Sequence, residues 1–205
     1  MKDIKLNKRN RLVFGVGIND ADYNVVEYAI VDGKWKIVWR CPFYKTWGSM
    51  LKRCYSEKLQ IINTTYKGCS VCEEWLTFSN FKKWMETKDW EGKQLDKDLL
   101  GEGNKIYSPE CCIFVDSKVN TFVTDCGTSR GEYMIGVCWY RRVSKFRSRC
   151  RNPFTGKQEN LGLFDTELEA HTAWKKRKHE LACELADSKY CTDPRLAEAL
   201  KTRYI

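Results

Sequence analysis

Histidine is nearly absent from this 205-residue chain: there are two, His171 and His179. Neither is expected to give a serine or cysteine the partner that acyl transfer needs. Long apolar runs are missing too. No segment approaches the roughly eighteen apolar residues of a membrane span, and the amino-terminal arm MKDIKLNKRNR lacks a signal peptide's apolar core. These two absences predict an intracellular, cytoplasmic protein with no membrane partner. In such a compartment the eleven cysteines read as reduced thiols or metal ligands rather than disulfides. Cys54, Cys150 and Cys183 sit where small apolar side chains would serve. Cys69 and Cys72 form one CxxC, and Cys111 with Cys112 could complete four thiolates. Adjacent cysteines do not readily turn to one tetrahedral metal, so the pattern speaks against structural zinc.

Acid is also missing from one stretch. Arg141 to Lys157, RRVSKFRSRCRNPFTGK, holds seven lysines and arginines and no aspartate or glutamate. The formal net charge of +9 favours an anionic partner, and much of it is concentrated here. The run is bounded by strand-like segments, and alternation along a strand puts Arg147, Arg149 and Arg151 on one face and Phe146, Ser148 and Cys150 on the other. The small or apolar face can pack on a helix while the guanidinium face stays in water, shaped for phosphate oxygens or guanine edges. A helix follows at once. Asp165-Thr166-Glu167-Leu168-Glu169 is a capping segment, and Leu168, Ala170, Ala173, Trp174, Leu181 and Leu185 then recur near helical spacing to about Ala186. From Met134 the order is strand, strand, strand, helix.

That order and its residues resemble the Apetala (ethylene-response-factor) DNA-binding domain. The resemblance is carried by Gly136-Val137, Lys145-Phe146, Arg151, Leu161-Gly162, Phe164-Asp165-Thr166, Glu167, Glu169-Ala170 and Ala173. It implies double-stranded DNA as partner, the sheet in the major groove, the helix bracing it from behind, and Arg141, Arg142, Lys145, Arg147, Arg149, Arg151 and Lys157 as contacts. Ile135 and Cys138 replace the arginines that flank Gly-Val in the plant domain, so its target sequence is not carried over.

Upstream, Leu12 to Trp39 reads as β structure, with a hairpin signal at Asp32-Gly33 between Tyr28–Val31 and Trp35–Trp39. Tyr44 to Glu57 reads as a helix with Trp47, Met50, Leu51 and Cys54 on one face. Phe78 to Thr87 is a second, carrying Phe78, Phe81, Trp84 and Met85, and the spacing marks these tryptophans as core.

Gln94 to Val123 reads strand, loop, strand, helix. From roughly Tyr44 to Phe122 the chain resembles the HNH (ββα-metal) nucleases of phages and mobile elements through Trp47, Arg53-Cys54-Tyr55, Val71-Cys72-Glu73-Glu74-Trp75, Leu95-Asp96-Lys97, Gly103-Asn104, Tyr107-Ser108-Pro109-Glu110, Cys112 and Asn120. The resemblance implies phosphodiester hydrolysis with Mg2+ or Mn2+ held by Asp96 and Asn120. Lys97 stands where such nucleases place the histidine that activates water. A lysine acts as a base only if its pKa falls by about three units. Strand alternation puts Asp96 and Asp98 on the face opposite Lys97.

The sequence therefore predicts an α+β protein: a basic arm and β-hairpin region (1–43), an HNH-like ββα unit with flanking helices (44–123), a linker TDCGTSRG (124–131), a three-stranded antiparallel sheet on one helix (132–187), and a tail (188–205) with a short helical pattern. Its expected activity is DNA binding of a phage or mobile-element type, with possible nicking. The alternative is a non-catalytic interaction protein whose basic face docks an acidic host protein.

Overall fold

The computed structural model describes residues 12–101, 103–124 and 131–205. The basic arm and the interior of the expected linker lie outside them. Helix at 39% and strand at 24%, with the strands in separate small sheets, make the chain α+β. It divides into two compact units, Met1–Glu91 with Leu95–Phe114, and Gly92–Gln94 with Val115–Ile205.

In the first unit, β1 (Val26–Val31) and β2 (Lys34–Arg40) form the hairpin, turning through Asp32 and Gly33 at φ of 54° and 71°. Positive φ at both central residues is the tight-turn geometry that matches strand twist. Strand structure does not reach back to Leu12 as expected. Val13 and Gly17 make an isolated bridge, and Ile18 bridges to Thr77. The cause is packing: a Cβ on Gly17 would lie 2.4 Å from Leu51, so this segment is pressed on a helix instead of entering a sheet.

That helix is α1 (Pro42–Tyr55), with Trp47, Met50, Leu51 and Cys54 buried as their spacing predicts. It stops at Tyr55, short of the expected Glu57, because Ser56 turns extended and its hydroxyl caps α2 (Glu57–Ile62) by accepting from Leu59 N. β3 (Ser70–Val71) pairs in parallel with β5 (Ile106–Tyr107). α3 (Phe78–Glu86) buries Phe78, Phe81 and Met85. Trp47 Nε1 donates to the Trp75 carbonyl at 2.7 Å, and Trp47–Phe78 and Trp75–Phe81 ring centroids stand 5.4 and 5.1 Å apart. These indoles form a core. β4 (Gln94–Asp96) pairs with β6 (Ile113–Val115), and the chain leaves the first unit at Phe114.

The second unit opens with α4 (Ser117–Val123), whose cap Asp116 accepts from Lys118 N. β7 (Val137–Tyr140), β8 (Lys145–Arg151) and β9 (Gln158–Phe164) form an antiparallel sheet in that order. α5 (Glu167–Ala186) begins with a capping box between Thr166 and Glu169. Ala170, Trp174, Leu181 and Leu185 are buried, whereas Leu168 is 64% exposed. Two residues before Ala170, it points about 200° around the helix from that stripe. The tail contributes α6 (Pro194–Thr202), which packs on α5 and buries Leu196 and Leu200.

Candidate nucleic-acid interface

The basic sheet is positioned by its neighbours. Ser148 and Cys150 are buried, while Arg149 and Arg151 are exposed. Alternation holds here despite a register shift between Ser148 and Arg149, where Arg149 N donates to the Gly136 carbonyl at 2.9 Å. Arg147 is half-buried. Its guanidinium lies 4.8 Å from the Tyr140 ring centroid, and Nη2 donates to Cys138 Sγ at 3.6 Å. Arg149 reaches the same sulfur at 3.9 Å, which places both arginines on one face with Cys138.

Other members of the expected set stand at the margins. Arg141 and Arg142 are exposed in the turn between β7 and β8, and Lys157 is exposed after Gly156. Lys145 forms an ion pair with Asp165 at 2.9 Å, so part of its charge is matched within the domain. The sheet is tied to α5 by Arg177, whose guanidinium donates to Glu159 of β9 at 2.7 Å and to Glu180 and Glu184 on its own helix. Arg177 was no part of the expected site, and its role is to hold the helix behind the sheet. Hydrogen bonds from Arg177 and Asn152 keep the Glu159 carboxyl below its usual range.

The expected catalytic residues have local duties. Lys97 is 3% exposed. Its ammonium donates to Asp98 and, at 2.7 Å, to the Asn104 carbonyl. The expectation that Asp98 faces away from Lys97 fails, because β4 ends at Asp96 and alternation ends with it. Asn104 returns the contact, donating to the Lys97 and Ile106 carbonyls at 3.0 and 2.8 Å and accepting from Ile106 N. Lys97 and Asn104 thus clasp the loop from both sides. Asp96 Oδ1 accepts from the backbone of Asp98 and Leu99 at 2.8 and 2.9 Å. Arg53 donates to the Leu95 carbonyl and stacks 5.7 Å from the Tyr66 centroid, with burial and the Arg53 charge acting oppositely on the neighbouring Tyr107 hydroxyl, whose pKa is raised on balance.

Asp96 belongs to the first unit and Asn120 to the second, where the Asn120 amide donates to Gln94 Oε1 at 2.5 Å. Among the described residues no group of three or more histidines, cysteines or acids is placed to hold a metal. The donors expected for Mg2+ or Mn2+ are one carboxylate engaged in its own turn and one amide bonded to a glutamine.

Comparison with protein-family models, with curated proteins and with solved structures returns no match for this chain.

Proposed function

We propose that this protein binds double-stranded DNA through the arginine-bearing side of the β7–β8–β9 sheet. The observation that carries the reading is Arg149 and Arg151 exposed on β8 while the intervening Cys150 is buried. Guanidinium forks on a strand suit phosphate oxygens and guanine edges, and the major groove is wide enough to admit strands. The capping box of α5 and the Arg177–Glu159 contact give that sheet a rigid back. The phage or mobile-element character and the HNH-like ancestry of the Leu95–Asn120 segment belong to the same proposal. In it the segment serves as a scaffold: Lys97 donates hydrogen bonds to its own loop, which is opposite to accepting a proton from water.

The test is incubation with supercoiled plasmid, with and without Mg2+ or Mn2+, beside Asp96→Ala and an Arg147/Arg149/Arg151→Ala triple variant. Retarded, uncut plasmid that only the triple variant fails to retard is the expected result. Metal-dependent nicking abolished by Asp96→Ala would instead make the HNH-like segment a working nuclease. No retardation would turn the reading toward an acidic protein partner.

A further inference from the structure

Within the second unit, β7 begins opposite Ser148, so the last residues of β8 have no strand beside them on that edge. The gap opens into a cavity of about 620 Å3 between the sheet, α4 and α5. Four of its lining residues are cationic, Lys118, Arg149, Arg151 and Lys178, and none of those described is an acid. Lys118 meets a neutral partner, donating to the Tyr190 hydroxyl at 2.9 Å with its ammonium 4.3 Å from that ring. The pull of the lysine lowers the Tyr190 pKa. Lys178 donates to the Phe122 carbonyl at 2.5 Å and lies 3.5 Å from the Phe122 ring centroid. Arg151 has no ion pair among the described residues. Phe122 and Trp174 supply aromatic surface to the same wall.

We infer that this cavity takes an organic phosphate the size of a nucleoside monophosphate, its phosphate on Arg149 and Arg151 and its apolar half toward Phe122 and Trp174. The volume lies within the range of about 300–1,000 Å3 usual for small-ligand sites and exceeds what a bare phosphate ion fills. Guanidinium and ammonium groups lining one cavity can supply charge-assisted hydrogen bonds to phosphate oxygens. The same chemistry comes from a free nucleotide or, resting on the DNA-binding reading, from an unpaired nucleotide of a strand.

Calorimetric titration of the full chain with deoxycytidine monophosphate, deoxycytidine and inorganic phosphate tests this, beside duplexes that are fully paired or carry one bulged nucleotide. Thr121, exposed on the α4 wall, gives a cavity-filling variant, Thr121→Phe. The nucleotide is expected to bind at least roughly tenfold tighter than either fragment, and to lose about that factor in Thr121→Phe while paired duplex is held unchanged. Should Thr121→Phe misfold, Arg151→Gln must weaken nucleotide binding by a similar factor. A nucleotide that binds no better than its fragments, or is indifferent to both variants, overturns the inference even if duplex binding persists. Loss of duplex binding with nucleotide binding intact fails the DNA reading alone. A Thr121-dependent preference for the bulged duplex assigns the source to a strand, and no preference assigns it to free nucleotide.

Discussion

A Cβ on Gly136 would lie 2.1 Å from the indole of Trp174, and Gly136 holds a φ of +82° that side chains rarely adopt. The start of β7 can approach α5 only because that position is bare, and its carbonyl in turn receives Arg149 N. Gly136→Ala is therefore expected to destabilise the second unit by roughly 2–4 kcal/mol, combining overpacking with left-handed strain. Thermal unfolding followed by circular dichroism checks it, and a variant as stable as the parent would refute the packing described.

Lys97 gives the second prediction. Lys97→Met keeps the length of the buried side chain and removes the donor to Asp98 and the Asn104 carbonyl. Asp98 is largely exposed, so the expected loss is about 1–3 kcal/mol rather than that of a fully buried ion pair. Amide exchange in the Asp96–Asn104 loop should quicken, and plasmid retardation should be unchanged. Lost retardation would assign Lys97 to DNA instead of to its loop.

The legibility of this chain follows from how local each signal is. The hairpin at Asp32-Gly33, the aromatic stripes of α1 and α3 and the capping box of α5 are each written within a few residues, and each forms. The side on which Asp98 lies is not legible from alternation, because β4 ends two residues before it, and the Asn104 carbonyl, seven residues on from Lys97, helps to set the direction of the lysine. The Lys145–Asp165 and Arg177–Glu159 pairs join residues some twenty apart, and no spacing announces them. The cationic cavity draws on four separate stretches, so composition gave its charge but not its place.

Acid should loosen the clasp of Arg177 on Glu159. The folded Glu159 carboxyl lies below its ordinary 4.5 because it accepts from Arg177 and Asn152. Its stabilising contribution is present above that value and is lost as pH falls through the lower folded one. Glu159→Gln should flatten that part of the pH–stability curve below pH 4.5; an unchanged acid limb would show that the contact does not stabilise.

Thiol reactivity provides an independent check on the first core. Burial pushes the Cys54 and Cys112 thiols up to about 12. At pH 8 about one molecule in ten thousand then carries the thiolate at either site. Native protein should leave both unlabelled by iodoacetamide under conditions that label them fully in denaturant, as peptide mass spectrometry would show. Rapid native labelling would contradict their burial.

The central claim is tested most directly by the salt dependence of duplex binding, measured by fluorescence anisotropy for the parent, Arg149→Ala, Arg151→Ala and Lys145→Ala. Each exposed arginine that meets a phosphate should take about one from the slope of log affinity against log salt. Lys145, already paired with Asp165 at 2.9 Å, should take less. Duplex binding that is absent at micromolar protein, or whose slope is indifferent to Arg149 and Arg151, would contradict the account.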